Sequence, residues 1–405
     1  MAQDTSHSQS SRDSADTVDP DLKFKFYSSD PAIHQDPWPY FKSLLAGPPI
    51  FVERRGIQWA VVSRYHQAQA ILRDHKRFSS VNPGLPGTED FDFFNGIPVM
   101  NFVDPPVHGR LRRVAAPSLA VRRMNEMEPH FQALCEDILD RCERRSEIDI
   151  VGDVGVELPV RVFAHLLDVP SSDYEMIRSL GIGGTDRTED FIASRAAYVT
   201  DLVERRRHQG AGNDLVGLAI AAHEAGEKID SMELFGMVMV LVTGAIATTA
   251  DLISSAVYHL LLRPELMARV RNDLSLVPAV VEETLRYDGP IHTIMRATTT
   301  EVEVGGTAIK ARTPVYVVLG AANRDPAAFQ NPEVFDITRE PNDHLGFGEG
   351  VHFCIGAAPA RVGAKVALQN LLQRYPRMRL ADGWQPLYRG TAFDRGLVRL
   401  PVRVD

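Results

Sequence analysis

Cys354 lies in a run of glycines and aromatics, Phe347-Gly348-Glu349-Gly350-Val351-His352-Phe353-Cys354-Ile355-Gly356, that leads straight into an apolar-periodic segment. A cysteine delivered by such a loop to a helix start meets unpaired N–H groups and the positive end of the helix dipole, and both favour the thiolate. A thiolate is a soft, electron-rich metal ligand. The glycines let the backbone lie close against something flat, while Phe347 and Phe353 offer apolar cover that would keep water from the sulfur. A lone Cys-x-Gly would read as a buried core cysteine. The entire string is far more specific.

Three further groupings carry chemistry by spacing. His108 and Arg112, four apart behind Asp104-Pro105-Pro106, share one face of a helix and can grip one anionic group; the plain alternative is a solvated basic helix. In Thr243-Gly244-Ala245-Ile246-Ala247-Thr248-Thr249-Ala250-Asp251, small residues would let a flat cofactor approach the backbone, and Thr248 can hold a hydrogen-bonded water or dioxygen. The alternative is that Thr and Gly merely bend the helix. Glu283 and Arg286, three apart, read by spacing alone as a surface ion pair.

The elements that must position these residues are mostly helical. A helix is predicted over 230–262, with Asp230 as N-cap, Glu233 three residues later as a capping-box variant, and Arg263-Pro264 marking its end. It would span roughly 50 Å, and its middle is apolar on all sides, as in a helix running through a core. Its uncharged run 234–250 is just long enough to span a membrane, but three threonines, two glycines and the adjacent Asp251 read as a buried soluble helix. Helical periodicity also appears over 65–72, 156–167 and 193–205, with Gly181, Gly183, Gly184 and Thr185 marking a helix-to-helix connection. Strands are predicted at 50–53 and 58–63 as a hairpin around Gly56, and at 301–304 and 307–309 around Gly305-Gly306, with 291–296 preceding the latter pair. The stretch 81–100, rich in Pro, Gly, Asp and Phe, reads as a long functional loop.

Taken whole, Phe-Gly-x-Gly-x-His-x-Cys-x-Gly over 347–356 resembles the heme-binding loop of the cytochrome P-450 family, with no departure at its named positions. The resemblance runs in order from about Asp30 to the C-terminus. It implies a mainly α fold with small β-sheets: the cytochrome P-450 fold, a triangular helical body with heme between the long central helix and the cysteine-loop helix. It implies one catalytic domain over 21–405, behind a segment 1–20 that reads by composition as a disordered tail. Cys354 would be the axial thiolate on the iron of heme b, iron protoporphyrin IX. His108, Arg112, Arg296 and His352 would hold the propionates, and Phe347 and Gly348 would lie against the heme. Thr248 and Thr249 match the family's oxygen-side Thr-Thr pair, with Asp251 one turn beyond Ala247. Phe91, Phe93, Phe94, Ile97, Val99, Ala245, Ile291, Thr293, Ile294 and, in the loop 390–396, Phe393 would line the substrate pocket. Glu283 and Arg286, with Arg339, match a buried structural triad. The sequence departs from the family at Ala247, where most members carry an acid, and in the reversed order of Gly244 and Ala245.

Composition agrees. The chain has 405 residues, 44% hydrophobic and 24% charged, enough for a sizeable core. A net charge of −9, from 44 Lys and Arg against 53 Asp and Glu, argues against a nucleic-acid or anionic-membrane binder. Arg110, Arg113, Arg122 and Arg123 form a local basic group that could steer an acidic electron donor. Cys135, Cys142 and Cys354 are too few for a disulfide framework, and Cys135 and Cys142, about 10.5 Å apart along a helix, cannot bridge; a reducing, cytoplasmic setting follows. The resemblance thus implies a soluble, monomeric, bacterial-type monooxygenase. It would take dioxygen, a small or medium apolar or aromatic substrate, and electrons from a ferredoxin-type donor with an NAD(P)H-dependent reductase, to hydroxylate, epoxidise or O-dealkylate. Because of Ala247 the alternatives are a peroxygenase, an oxidative-coupling or nitric oxide-reducing heme-thiolate enzyme, and a non-catalytic heme sensor.

Overall fold

The computed structural model describes residues 31–54, 56–81, 99–182, 189–210, 212, 214–224, 230–389 and 393–405. The expected tail 1–20 and the positions Phe91, Phe93, Phe94 and Ile97 lie outside them. The central helix, Ser231–Leu261, forms as the sequence predicts. The Glu233 N–H donates to Asp230 Oδ1 at 2.8 Å and the Asp230 N–H to Glu233 Oε2 at 3.1 Å, a reciprocal cap on two otherwise orphaned donors. Glu233 also accepts from Arg110, which ties this cap to the helix Val107–Ala115. Pro264 opens the next helix, Pro264–Asn272, besides ending this one.

Met232–Leu261 is the helix among the described residues long and apolar enough to cross a membrane, and most of it is buried within the fold. Val238, Val242, Ile246, Ile253 and Leu260 are all core residues, each stabilising by about 1.5–3 kcal/mol when fully buried. Around the helix pack Glu157–Leu166, Tyr174–Ile182, Val277–Asp288, the π-helical turn Ile150–Val156 and the cysteine-loop helix, Ala357–Arg374. Gly181 does not interrupt a helix. It sits in the last turn of Tyr174–Ile182, where a Cβ would collide with Ile246, so it permits close approach to the central helix.

The strands are β1 Ile50–Arg54, β2 Ile57–Val62, β3 Phe78–Ser79, β4 Glu147–Asp149, β5 Thr293–Thr298, β6 Val302–Val304, β7 Thr307–Ile309, β8 Pro314–Val318, β9 Arg379–Leu380 and β10 Pro401–Arg403. The expected hairpins β1–β2 and β6–β7 are present, the second turning at Gly305 and Gly306 with φ of +56° and +77°. Residues 291–296, expected only to precede the strand pair, belong from Thr293 on to β5. It is an inner strand of a five-stranded sheet ordered β1-β2-β8-β5-β3, with β2 and β8 parallel and the remaining pairs antiparallel. That sheet carries Thr293, Ile294 and Arg296 toward the central helix's cavity. Trp59 of β2 stacks on Tyr316 of β8 at 4.3 Å and buries the opposite face.

Candidate functional site

The cysteine loop is held from three sides. Glu283 and Arg286, on the helix Val277–Asp288, are fully buried and bonded through two of the three guanidinium nitrogens, Nε and Nη2, at 2.8 Å each. Arg286 also donates to the carbonyls of Asn323, Pro332 and Val334, and Arg339 Nε lies 3.4 Å from Glu283. The three side chains thus come together in the interior. Glu282 was not foreseen. It accepts two bonds from Arg361 of the cysteine-loop helix, at 2.7 and 2.8 Å, and lies 3.2 Å from His344. Burial pushes its carboxyl up, but the Arg361 and His344 hydrogen bonds overrule burial and hold it down to about 2. On the third side Gly350, at φ +71°, rests on the helix Tyr65–Arg73, where a Cβ would strike the Leu72 carbonyl, and Glu349 pairs with Arg73.

Cys354 precedes the N-cap Gly356, and its N–H donates to the Phe347 carbonyl at 2.9 Å. Burial pushes the thiol up; the Gly356 N–H, Arg112 and Arg361 pull it down but do not win. The helix start favours the thiolate, but desolvation outweighs it, and a cation at the sulfur is what would draw off the proton. The expectation for Phe353 is corrected. It is 39% exposed and faces outward, while Phe347 lines the cavity with Arg361 stacked 4.5 Å over its ring.

Beside the sulfur, basic groups crowd together. The rings of His108 and His352 lie 4.1 Å apart. Burial pushes His108 down to about 4, helped by Arg112, and pushes His352 down to about 3, helped by Arg296, His108 and Arg112. Burial also lowers Arg112, and takes Arg296 down to about 10. Arg296 donates to the Met295 carbonyl, and the carboxylate that pulls it back up is Asp104, whose oxygens accept from Ser79 and Ser80. His352 Nε2 is buried without a partner. Two buried arginines short of carboxylate partners, beside two imidazoles that can donate N–H groups, leave a place for anionic oxygens.

A cavity of about 430 Å³ separates the cysteine loop from the central helix. Its wall includes Cys354, Phe347, Gly348, His352 and Arg296 on one side and Gly244, Ala245, Thr248 and Thr249 on the other. The Thr248 hydroxyl donates to the Gly244 carbonyl at 2.7 Å, and nothing stands within 4 Å of the place where a Cβ of Gly244 would be. Ile291, Thr293, Ile294 and Phe393 also line the wall, whereas His108, against His352, and Arg112 do not. Val99 does not line it. That side chain is fully buried in the core, and Asn101 and Phe102 of the following 3₁₀ turn take its place. Asp251 is absent from the wall as well. It points to the other side of the helix and pairs with Arg389; burial raises its carboxyl to about 7 against the pull of Arg389.

A slot with a cysteine in one wall, small helix residues in the other and two arginines with two neutral histidines at its side fits a flat, metal-centred group with two carboxylates. The orphaned His352 Nε2 is the observation that carries this fit. Together with the helical body, the site defines a heme-thiolate protein. The family model "Cytochrome P450" matches residues 160–380. The chain is 35% identical to 6-deoxyerythronolide B hydroxylase of Saccharopolyspora erythraea over 85% of its length and 90% of that protein. It is 34% identical to the cytochrome P450 monooxygenase PikC of Streptomyces venezuelae over 91% of each chain. A myxobacterial cytochrome P450, CYP267B1, solved in complex with myristic acid, superposes with a TM-score of 0.86 at 30% identity, covering 93% of this chain and 98% of that one. The chain belongs to the cytochrome P450 family. It is an oxidoreductase of the P450 monooxygenase type, with heme b as its cofactor.

Proposed function

We propose that the chain inserts one atom of dioxygen into a small or medium apolar organic molecule bound between Thr248 and Phe393. The observation that carries this reading is the single cavity wall shared by Cys354, the central helix's Gly244 to Thr249 face and the apolar residues Ile291, Ile294 and Phe393. Solved relatives bound to myristic acid and to testosterone support an apolar substrate.

Cys354 ligates the iron. His108, Arg112, Arg296 and His352 hold the propionates, while Phe347 and Gly348 cover the heme on the cysteine side. Heme supplies the redox centre at which dioxygen is activated, and a thiolate ligand favours O–O cleavage. Thr248 contributes its hydroxyl on the oxygen side, with Thr249 as its neighbour on the wall; Asp251, off the wall, leaves this set. Residues 21–405 act as one catalytic unit, monomeric and cytoplasmic, fed singly with electrons by a ferredoxin-type donor and its NAD(P)H-dependent reductase. Cys354→Ser or Cys354→His should abolish the red-shifted spectrum of the ferrous carbon monoxide complex, because neither side chain donates charge as a thiolate does. An unchanged spectrum removes the assignment.

Ala247 favours a second reading, in which peroxide, nitric oxide or oxidative coupling replaces dioxygen insertion, since no carboxylate stands at the position where most family members carry an acid. Turnover with a ferredoxin and reductase under dioxygen, compared with turnover on peroxide or nitric oxide, separates the readings.

A further inference from the structure

Near the end of the chain, residues 387–389 and 393–398 form the two arms of an antiparallel hairpin against the cavity. Its sides join through the Val398 N–H to the Leu387 carbonyl at 2.8 Å and the Arg389 N–H to the Gly396 carbonyl at 2.9 Å. Phe393 reaches the cavity wall from this hairpin, and its carbonyl accepts from the N–H groups of His292, at 2.8 Å, and Thr293, at 3.3 Å. The Arg395 N–H donates to the Pro290 carbonyl at 2.8 Å. These backbone bonds fix the hairpin to the strand side of the cavity.

Two ion pairs fix it to helices. Arg395 Nε bonds Asp288 Oδ1 at 2.9 Å, where the Arg395 guanidinium also stacks 3.4 Å over Tyr388. Arg389 bonds Asp251 of the central helix. Between the pairs lies a cavity of about 10 Å³ lined by Asp251, Ser255, Tyr258, Asp288, Tyr388 and Arg395, close to the space that one water needs. The fit is close: a Cβ at Gly396 would overlap both the Asp251 carboxylate and the Arg389 guanidinium. Asp251 therefore faces the hairpin, not the cavity in which oxygen and substrate meet.

We propose that Asp251 is a positioning residue: its ion pair with Arg389 ties the C-terminal hairpin to the central helix and so sets how far Phe393 enters the substrate cavity. This rests on the reading of that cavity as the substrate site. The pair lets one helix govern both walls of the cavity, with Thr248 on its own face and Phe393 through the hairpin. A carboxylate in this place is fixed by what the hairpin needs, and so it does not substitute for the acid missing at Ala247.

The test uses the heme-loaded full chain and two azoles that bind iron through a ring nitrogen. Imidazole is too small to reach the wall; clotrimazole carries three aromatic rings that press on it. Binding is followed by the shift of the ferric heme spectrum. Asp251→Asn should weaken clotrimazole about tenfold and leave imidazole within about twofold, and Arg389→Gln, altered at the more exposed end of the pair, should do the same. In a Phe393→Ala background the effect of Asp251→Asn on clotrimazole should shrink to about twofold or less, because the two residues act through one path. An undiminished effect in that background, equal weakening of both azoles, or no weakening of clotrimazole overturns the proposal. If clotrimazole leaves the wild-type ferric spectrum unshifted while imidazole shifts it, the cavity is not the substrate site and the functional reading itself fails.

Discussion

Ala247 and Thr248 show how one residue alters what its neighbour must do. Without an acid at 247, the Thr248 hydroxyl, which donates to the Gly244 carbonyl on the cavity wall, is the group that the proposed reading asks to serve dioxygen. Thr248→Ala should lower product formed per electron pair and divert electrons into hydrogen peroxide, since acid–base groups commonly contribute about 10²–10⁴ in rate. Measuring product, peroxide and NAD(P)H together decides it: an unchanged ratio removes Thr248 from the chemistry. Arg112 and Arg296 make a second residue-scale case. Each charge-assisted bond to a heme carboxylate contributes about 1.5–3 kcal/mol. Arg112→Ala or Arg296→Ala should therefore lose heme to a scavenger much faster than Arg122→Ala, whose side chain is 91% exposed on the surface. Equal loss in all three would refute the propionate assignment. Spacing made His108 and Arg112 legible because i, i+4 residues share a face. It could not show that His352 would lie against His108, because that contact joins a helix to the cysteine loop, far apart in the chain.

At the scale of elements, the helix Val277–Asp288 braces the cysteine loop through two adjacent glutamates with different partners. Removing one member of the buried Glu283–Arg286 pair leaves an uncompensated charge at about 3–5 kcal/mol, so Arg286→Ala should fail to yield folded, heme-loaded protein. Glu282 gives a finer measurement. Its carboxyl is held down to about 2 from an ordinary 4.5, so the stabilisation is fully present above pH 4.5 and is lost as pH falls toward 2. After discounting for the third of the side chain that water reaches, Glu282→Gln should cost about 1–2 kcal/mol at pH 7. Denaturant midpoints of the two proteins should converge as the pH is lowered from 6 toward 3, and a gap that stays constant with pH would show that the Arg361 pair contributes no net stability. The triad was legible in the sequence through its family spacing. Glu282 was not, because its partners Arg361 and His344 are 79 and 62 residues away and only packing brings them together. Asp251 was misread for a related reason: helix periodicity placed it near the azimuth of Ala247, but which element covers that face depends on Arg389, 138 residues on.

For the whole molecule, charge sets how a partner arrives. The chain carries a net −9, yet a basic group was legible at Arg110, Arg113, Arg122 and Arg123. The structure divides that group. Arg110 is turned inward to Glu233 at the cap of the central helix, whereas Arg122 stands on the first turn of Val121–Asp140, a helix packed along the cysteine-loop helix. Its partner Glu126 is itself largely exposed, so that ion pair is weak and leaves the guanidinium open to an incoming anion. An acidic ferredoxin would be repelled by the molecule as a whole and drawn to this face over distances shorter than about 10 Å at 0.1 M salt. The rate of ferredoxin-driven heme reduction should therefore fall as ionic strength rises. Arg122→Glu should slow it about two- to tenfold at low salt, with the difference closing near 1 M, where the screening length is about 3 Å. Reduction by dithionite, which needs no docking, should be the same in both proteins. Stopped-flow reduction across a salt series checks this directly: a rate indifferent to salt, or a dithionite rate equally slowed by the substitution, would show that electrons do not enter across the Arg122 face.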